Sequence, residues 1–242
     1  MRKTLIFFFF IFVYLGTASQ QKVFDPKITL KWAPTGLVFG NISLQGEYSF
    51  GRKKSLTAKI SIPVKKKYEV IYDENNADMF MKALSFLSGY RMYLSKQKLK
   101  GFYIEPYFKY VHHTSEGVGH GKLDGELVTM NFTNEYNAAG VGVQFGAQFI
   151  IAKRFVIDLF FLGPEINSAT NNFKAIDVSN SAAWNTIQAS EAEADIIKFL
   201  DQFPFVRSHV NVRVDQPNRT VTADFKGALP GIRTGVSIGI AL

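Results

Sequence analysis

The sequence predicts an all-β fold: an eight-stranded antiparallel transmembrane up-and-down β-barrel with a partly helical extracellular insert. Three observations predict it. Apolar and polar residues alternate over segments of nine to twelve positions. Short and long connections take turns along the chain. The 242 residues include no cysteine, and no stretch after the N-terminus is apolar for the length of a helical span.

The N-terminal stretch has the three parts of a secretory signal peptide. Arg2 and Lys3 are positive, Leu5 to Leu15 is an apolar run, and Gly16, Thr17, Ala18 and Ser19 are small. That run is too short for a membrane helix, which needs about 20 residues. Residues 1–19 are therefore expected to be removed, leaving 20–242 as the barrel. Without cysteine the chain has neither a lipoprotein anchor nor a disulfide scaffold. The formal charge is +8, and loss of Arg2 and Lys3 leaves +6. Such a charge suits anionic membrane surfaces or nucleic acid; export argues against nucleic acid.

The strands follow in order. The first is expected over Lys27–Ala33. From Asn41 to Phe50, Ile42, Leu44, Gly46, Tyr48 and Phe50 oppose Asn41, Ser43, Gln45, Glu47 and Ser49. From Ser55 to Val64, Leu56, Ala58, Ile60, Ile62 and Val64 oppose Ser55, Thr57, Lys59 and Ser61. Ala83–Leu94 is the fourth. In Gly101–Val111, Phe102, Ile104, Pro106, Phe108 and Tyr110 oppose Tyr103, Glu105, Tyr107 and Lys109. Ala139–Ile150 and Phe155–Gly163 are the sixth and seventh. The C-terminal segment sets Ile232, Thr234, Val236, Ile238, Ile240 and Leu242 against Gly231, Arg233, Gly235, Ser237, Gly239 and Ala241. Period two identifies strands. Their lengths match the 9–11 residues or so of a tilted membrane strand better than the ~5–6 of a soluble one.

Connections supply a parity check. Gly51–Lys54, Ser95–Lys100 and Ala152–Arg154 are short and basic; Lys65–Lys82, His112–Ala138 and Pro164–Leu229 are long, while the first link, Pro34–Gly40, is short although it falls on the long-loop side. Outer-membrane barrels keep short turns in the periplasm and long loops outside. Eight strands then leave both termini periplasmic, in the cell outer membrane. Phe50, Phe102, Phe149 and Phe155 gather toward the short turns, with Trp32 and Tyr110 toward the other rim, as two interfacial belts require. A soluble sandwich or lipocalin-like barrel would turn its apolar face inward instead. The small residues of the polar face, such as Gly140, Gly142 and Gly146, suit a tight lumen better than a solvated exterior.

Between the last two strands lies an insert, 164–228. Ala189–Phe203 is predicted helical, with Ile196, Ile197, Leu200 and Phe203 as an apolar stripe and Glu191, Glu193 and Asp195 in its first turns. Val206–Val214 and Thr220–Lys226 alternate like two short strands. The insert reads as an extracellular cap, with a plug or partner-binding helix as the alternative.

Several segments resemble an uncharacterised family of outer-membrane barrels from Bacteroidota. These are Lys31-Trp32-Ala33-Pro34, Leu37 through Leu44 with Glu47-Tyr48, Gly101 through Tyr107, and the glycine-alternating C-terminus. The resemblance implies a small porin-like or OmpA-like barrel and carries no functional residues with it. The chain ends in Leu242 rather than the aromatic residue common in such barrels.

Parity points Glu47, Lys59, Arg91, Glu105, Lys109, Asp158 and Arg233 into the lumen. An eight-stranded barrel is just wide enough for side chains to fill, so these charges are expected to form a structural network that blocks flow. A proton or ion path is the functional alternative. His112, His113, Ser115, Glu116 and His120 open the second long link. Serine–histidine acyl chemistry or metal binding by histidines would use such residues. No His-Glu-x-x-His motif is present, and the Gly-x-Ser-x-Gly spacing at Gly235–Gly239 falls inside the alternating C-terminal strand rather than at a strand-to-helix turn, so solvated histidines are expected. Lys65, Lys66 and Lys67 lie just past the upper boundary. They could meet anionic headgroups or simply be solvated. The sequence points to no catalytic, cofactor or metal site.

The expected role is non-enzymatic and structural: a filled barrel in contact with outer-membrane lipid and lipopolysaccharide. It would serve as a subunit of a larger outer-membrane protein complex through loops, insert or lipid-facing strands. The alternatives are a lipid-modifying acyl hydrolase or transferase and a small solute channel.

Overall fold

A computed structural model describes residues 25–72, 75–180 and 182–242. The signal-peptide segment lies outside the described residues. Among the described residues there are ten strands: β1 (Ile28–Ala33), β2 (Asn41–Ser49), β3 (Lys54–Pro63), β4 (Lys66–Tyr72), β5 (Asn75–Tyr93), β6 (Gly101–Leu123), β7 (Glu126–Ile151), β8 (Phe155–Asp177), β9 (Val210–Asp215) and β10 (Thr220–Ala241). Among the described residues a 3-10 helix (Pro34–Phe39) links β1 to β2, and two α-helices, α1 (Thr186–Leu200) and α2 (Pro204–Arg207), precede β9.

Eight strands close into a ring in the order β1-β2-β3-β5-β6-β7-β8-β10, all antiparallel. Closure comes from β1 against β10, with Thr29 opposite Ala241 and Trp32 opposite Ile238. A closed ring leaves no open sheet edge, so every strand within it has two partners. The predicted short links are the turns of one rim, and the ends of β1 and β10 meet there, where Lys27 N donates to Leu242 O at 2.9 Å.

The long links are not loops. β5, β6, β7, β8 and β10 run on past the ring as 19- to 26-residue strands. β4 joins them along β5, and β9 along β10. Thus most of His112–Ala138 is hairpin, closed at Asp124-Gly125, whose φ values of 53° and 76° are left-handed. Such a pair is the usual choice for a two-residue hairpin turn. Strand also covers Pro164–Asp177 and Thr220–Leu229, so only Val178–Arg219 of the insert departs from the two long strands.

A change of phase explains the early ends expected from sequence. Within the ring Val141 and Val143 of β7 face outward; farther along, Val128, Met130 and Phe132 occupy the opposite parity and face inward. The alternation never stops. Its apolar member changes face, and that reads as an interruption.

Helix α1 starts three residues earlier than its apolar spacing indicates, because Asn185 caps it. The Asn185 side chain accepts from Gln188 N at 2.8 Å, and Gln188 Oε1 accepts from Asn185 N at 3.1 Å. This capping box satisfies two otherwise unpaired amides. The first turn holds no acid; Glu191, Glu193 and Asp195 fall beyond it, too far for the helix dipole to account for them. The helix buries Ala189 and Ala192 and packs Ile196 against the same cluster, which includes Leu123, Val128, Trp184 and Val221. That buried stripe differs from the expected one: Phe203 lies past the helix end and is exposed. Val206 belongs to α2 rather than to a strand, since Pro204 opens a helical turn there.

Candidate functional site: a charged plug inside the ring

The ring is polar inside and apolar outside. Interior-facing Thr29, Lys31, Ser43, Glu47, Ser55, Arg91, Glu105, Gln148 and Asp158 are all buried, whereas Leu30, Leu44, Tyr48, Leu56, Ile60, Phe102 and Val141 are exposed on the outer face.

The floor of the interior is one network fed by seven strands. Arg91 of β5 is its centre. Arg91 Nε donates to Glu105 Oε2 at 2.8 Å, and Nη1 reaches Asp158 Oδ2 at 2.9 Å, Gln148 Oε1 at 3.0 Å and Glu47 Oε2 at 3.3 Å. Its guanidinium lies 3.7 Å from the Tyr103 ring centre. Lys31 of β1 donates to Glu47 at 2.9 Å and to both Asp158 and Gln148 at 2.7 Å. Hydroxyls complete the shell. Ser55 and Tyr93 donate to Glu47 Oε1, each at 2.6 Å, Tyr103 donates to Asp158 Oδ1 at 2.7 Å, and Thr57 donates to Glu105. The two cations and three carboxylates have almost no solvent access. Buried charges persist only when paired and hydrogen-bonded, and each here has at least two partners.

A second tier lies above. Lys109 pairs with Glu165, which also accepts from Tyr107 at 2.8 Å and Asn167 at 3.1 Å. Arg233 sits over the rings of Phe160 at 4.9 Å and Tyr107 at 5.4 Å, and Lys59 over Phe160 at 5.6 Å. An aromatic face attracts a cation by about 0.5–2 kcal/mol, which offsets part of the cost of burying it.

Glycines make room for the rings. A Cβ on Gly146 would stand 2.4 Å from the Tyr103 hydroxyl, and one on Gly142 would stand 2.6 Å from that of Tyr107.

The seven charges expected inside thus divide: Glu47, Arg91, Glu105 and Asp158 meet in the floor, while Lys59, Lys109 and Arg233 belong to the upper tier. Sequence reading missed Lys31 and Glu165. Lys31 was legible, since Thr29, Lys31 and Ala33 alternate against Ile28, Leu30 and Trp32. Glu165 was hidden because β8 seemed to stop at Gly163.

Other singled-out residues lie apart from the plug. His112 faces out, with Nδ1 2.6 Å from Asn137 Oδ1; His120 contacts Thr129 at 3.2 Å. His113 lies on the opposite side of β6, its ring 5.9 Å from that of Tyr136. Ser115 follows on that inner side. Among the described residues, no group of three or more metal-ligating side chains comes together. Lys65 pairs with Glu116 at 3.2 Å and lies 4.2 Å from the Phe80 ring centre; Lys67 pairs with Asp78 at 3.1 Å. Lys66 belongs to β4, opposite Met81.

Structures similar to this chain include two from Acinetobacter baumannii. CarO2 aligns over 90% of this chain and 98% of its own at 9% identity, with a TM-score of 0.44. CarO aligns over 92% and 100% at 8% identity, also with a TM-score of 0.44. No family model and no curated protein matches the chain. The resemblance to the Bacteroidota family therefore stands on its quoted motifs alone.

Proposed function

We propose that this chain is a non-enzymatic integral outer-membrane barrel with a plugged interior, which displays a strand-and-helix extension outside the cell. The inversion of burial carries the reading: charged residues fill the ring while its outer face is apolar. Water would make that arrangement strongly unfavourable, and a bilayer requires it.

The band has an upper edge. Paired outward residues Phe86, Tyr110, Ala139, Ser168 and Ala228 form one row across five strands. Two rows farther on, the outward residues are Lys82, Thr114, Glu135, Asn172 and Asp224. From Phe102 to Tyr110, β6 runs for eight residues, roughly 26 Å at about 3.3 Å each. At the tilt of about 35–45° usual for such strands this gives about 20 Å of height, which falls within the ~25 Å apolar band of outer-membrane barrels. Short turns and both described chain ends belong on the periplasmic side, with the extension and α1 outside. Lipid and lipopolysaccharide are the partners of the band; the extension offers the surface for a larger membrane complex.

Two experiments test this. Purified protein in planar bilayers is expected to show no steady conductance, and open pores of defined size would refute the plug. A mild-detergent pull-down from native membranes is expected to recover a reproducible large partner; its repeated absence would remove the complex from the proposal.

A further inference from the structure

We propose that the extension holds a binding site for one small apolar or aromatic molecule bearing an uncharged polar head. The site is a cavity of about 650 Å³ between the inner face of the extended strands and helix α1. Small-molecule sites fall in the range of about 300–1,000 Å³, whereas folded interiors keep few voids larger than a water molecule. The space is a half-open cleft of ligand size, so a molecule can reach it from solvent.

Its walls follow from the phase change of the strands. Above the apolar band the outer face is polar, and the inner face carries Phe132, Phe173 and Phe225. Phe132 and Phe173 are stacked, with ring centres 6.3 Å apart and planes at 28°. Helix α1 closes the other side with Ile196, Phe199 and Leu200. This half of the molecule thus buries apolar surface away from water in the ordinary sense, but leaves the space between its walls unfilled.

Polarity selects the ligand. The strand walls contribute no charged side chain to the lining. The two charged lining residues, Asp195 and Lys198, come from α1 and have opposite signs. Asn134 and Asn171 also line the space, and Asn171 Nδ2 donates to Asn134 Oδ1 at 2.8 Å. Each amide has further hydrogen-bonding capacity, so the pair suits a hydroxyl, ester or amide head. Below lie Tyr136, Leu229 and Phe225 with the buried Ala138 and Ala169, then the charged plug. A molecule entering here reaches a dead end: the site captures and does not conduct.

The test uses the full chain in lipid nanodiscs and the water-soluble probe 4-butylphenol, measured by isothermal titration against empty discs. One saturable site per chain is expected, above the non-saturable uptake of lipid. Ala223→Trp, which puts a large ring into the cavity, should abolish it. Leu200→Asp should do so from the helix side, and Asn171→Leu should weaken binding about tenfold, the worth of one hydrogen bond. Electrophoresis without boiling confirms that each variant is folded. Absence of a saturable site, or wild-type binding in both folded blocking variants, would overturn the proposal. So would dimerisation that Ala223→Trp abolishes, since the occupant would then be a second copy. The outcome is separable from the membrane reading, because a chain that proved soluble without detergent would still present this cavity to the probe.

Discussion

Replacing Arg91 by methionine keeps most of the side chain's volume while removing the central charge of the plug and the guanidinium that lies over the Tyr103 ring. The consequences differ among its partners. Asp158 would keep Lys31 at 2.7 Å and the Tyr103 hydroxyl. Glu47 would keep Lys31 at 2.9 Å with the Ser55 and Tyr93 hydroxyls. Glu105 would lose Arg91, its one ion-pair partner among the described residues. It would keep the neutral donors Thr57 and Gln144, the latter at 3.3 Å. Breaking a buried pair in this way costs about 3–5 kcal/mol, since a desolvated charge is left uncompensated. Folded domains are stable by only about 5–15 kcal/mol, so Arg91→Met should unfold at markedly lower urea. The assay is urea titration of protein refolded into vesicles, followed by tryptophan fluorescence and by mobility without boiling. Because Glu105 is the stranded group, Glu105→Gln should rescue Arg91→Met in part, giving a favourable coupling in the double-mutant cycle. A loss below about 1 kcal/mol with no rescue by Glu105→Gln would refute the account.

The other predictions use the same apparatus. Gly146→Ala should cost about 1–3 kcal/mol by driving a methyl into the Tyr103 hydroxyl, whereas Gly46→Ala, with nothing within 4 Å of the new Cβ, should be close to neutral. Leu44→Lys on the outer face should cost about 2–4 kcal/mol if lipid covers it; a change within about 0.5 kcal/mol would mean that water does. Burial alone would raise the Asp177 pKa, but hydrogen bonds from Ser179 and Trp184 and the charge of Arg219 outweigh it and hold the group below its ordinary 3.8. A depressed carboxylate pKa stabilises the fold above the unfolded value. The cap should therefore hold above pH 3.8 and loosen as pH falls below it. Trp184 fluorescence in a Trp32→Phe background reports this, and the acid transition should vanish in Asp177→Asn.

What the sequence determined by itself is the ring and the direction of its faces. Period-two alternation is local and each ring strand is long, so Asn41–Ser49, Lys54–Pro63 and the start of β6 could be placed within a residue or so. Parity alone sent Glu47, Arg91, Glu105 and Asp158 inward, because successive side chains on a strand must point to opposite faces. Tertiary structure decided who meets whom. That Arg91 gathers carboxylates from β2, β6 and β8 depends on strand stagger around a closed ring, which no local pattern encodes. It also decided what lies beyond the ring. Burial reverses between Val141 and Phe132 because the surroundings of the wall reverse, and a single chain read linearly shows that change as a lapse in pattern. The cavity under α1 follows from that reversal, and it exists only once six strands and two helices share one space.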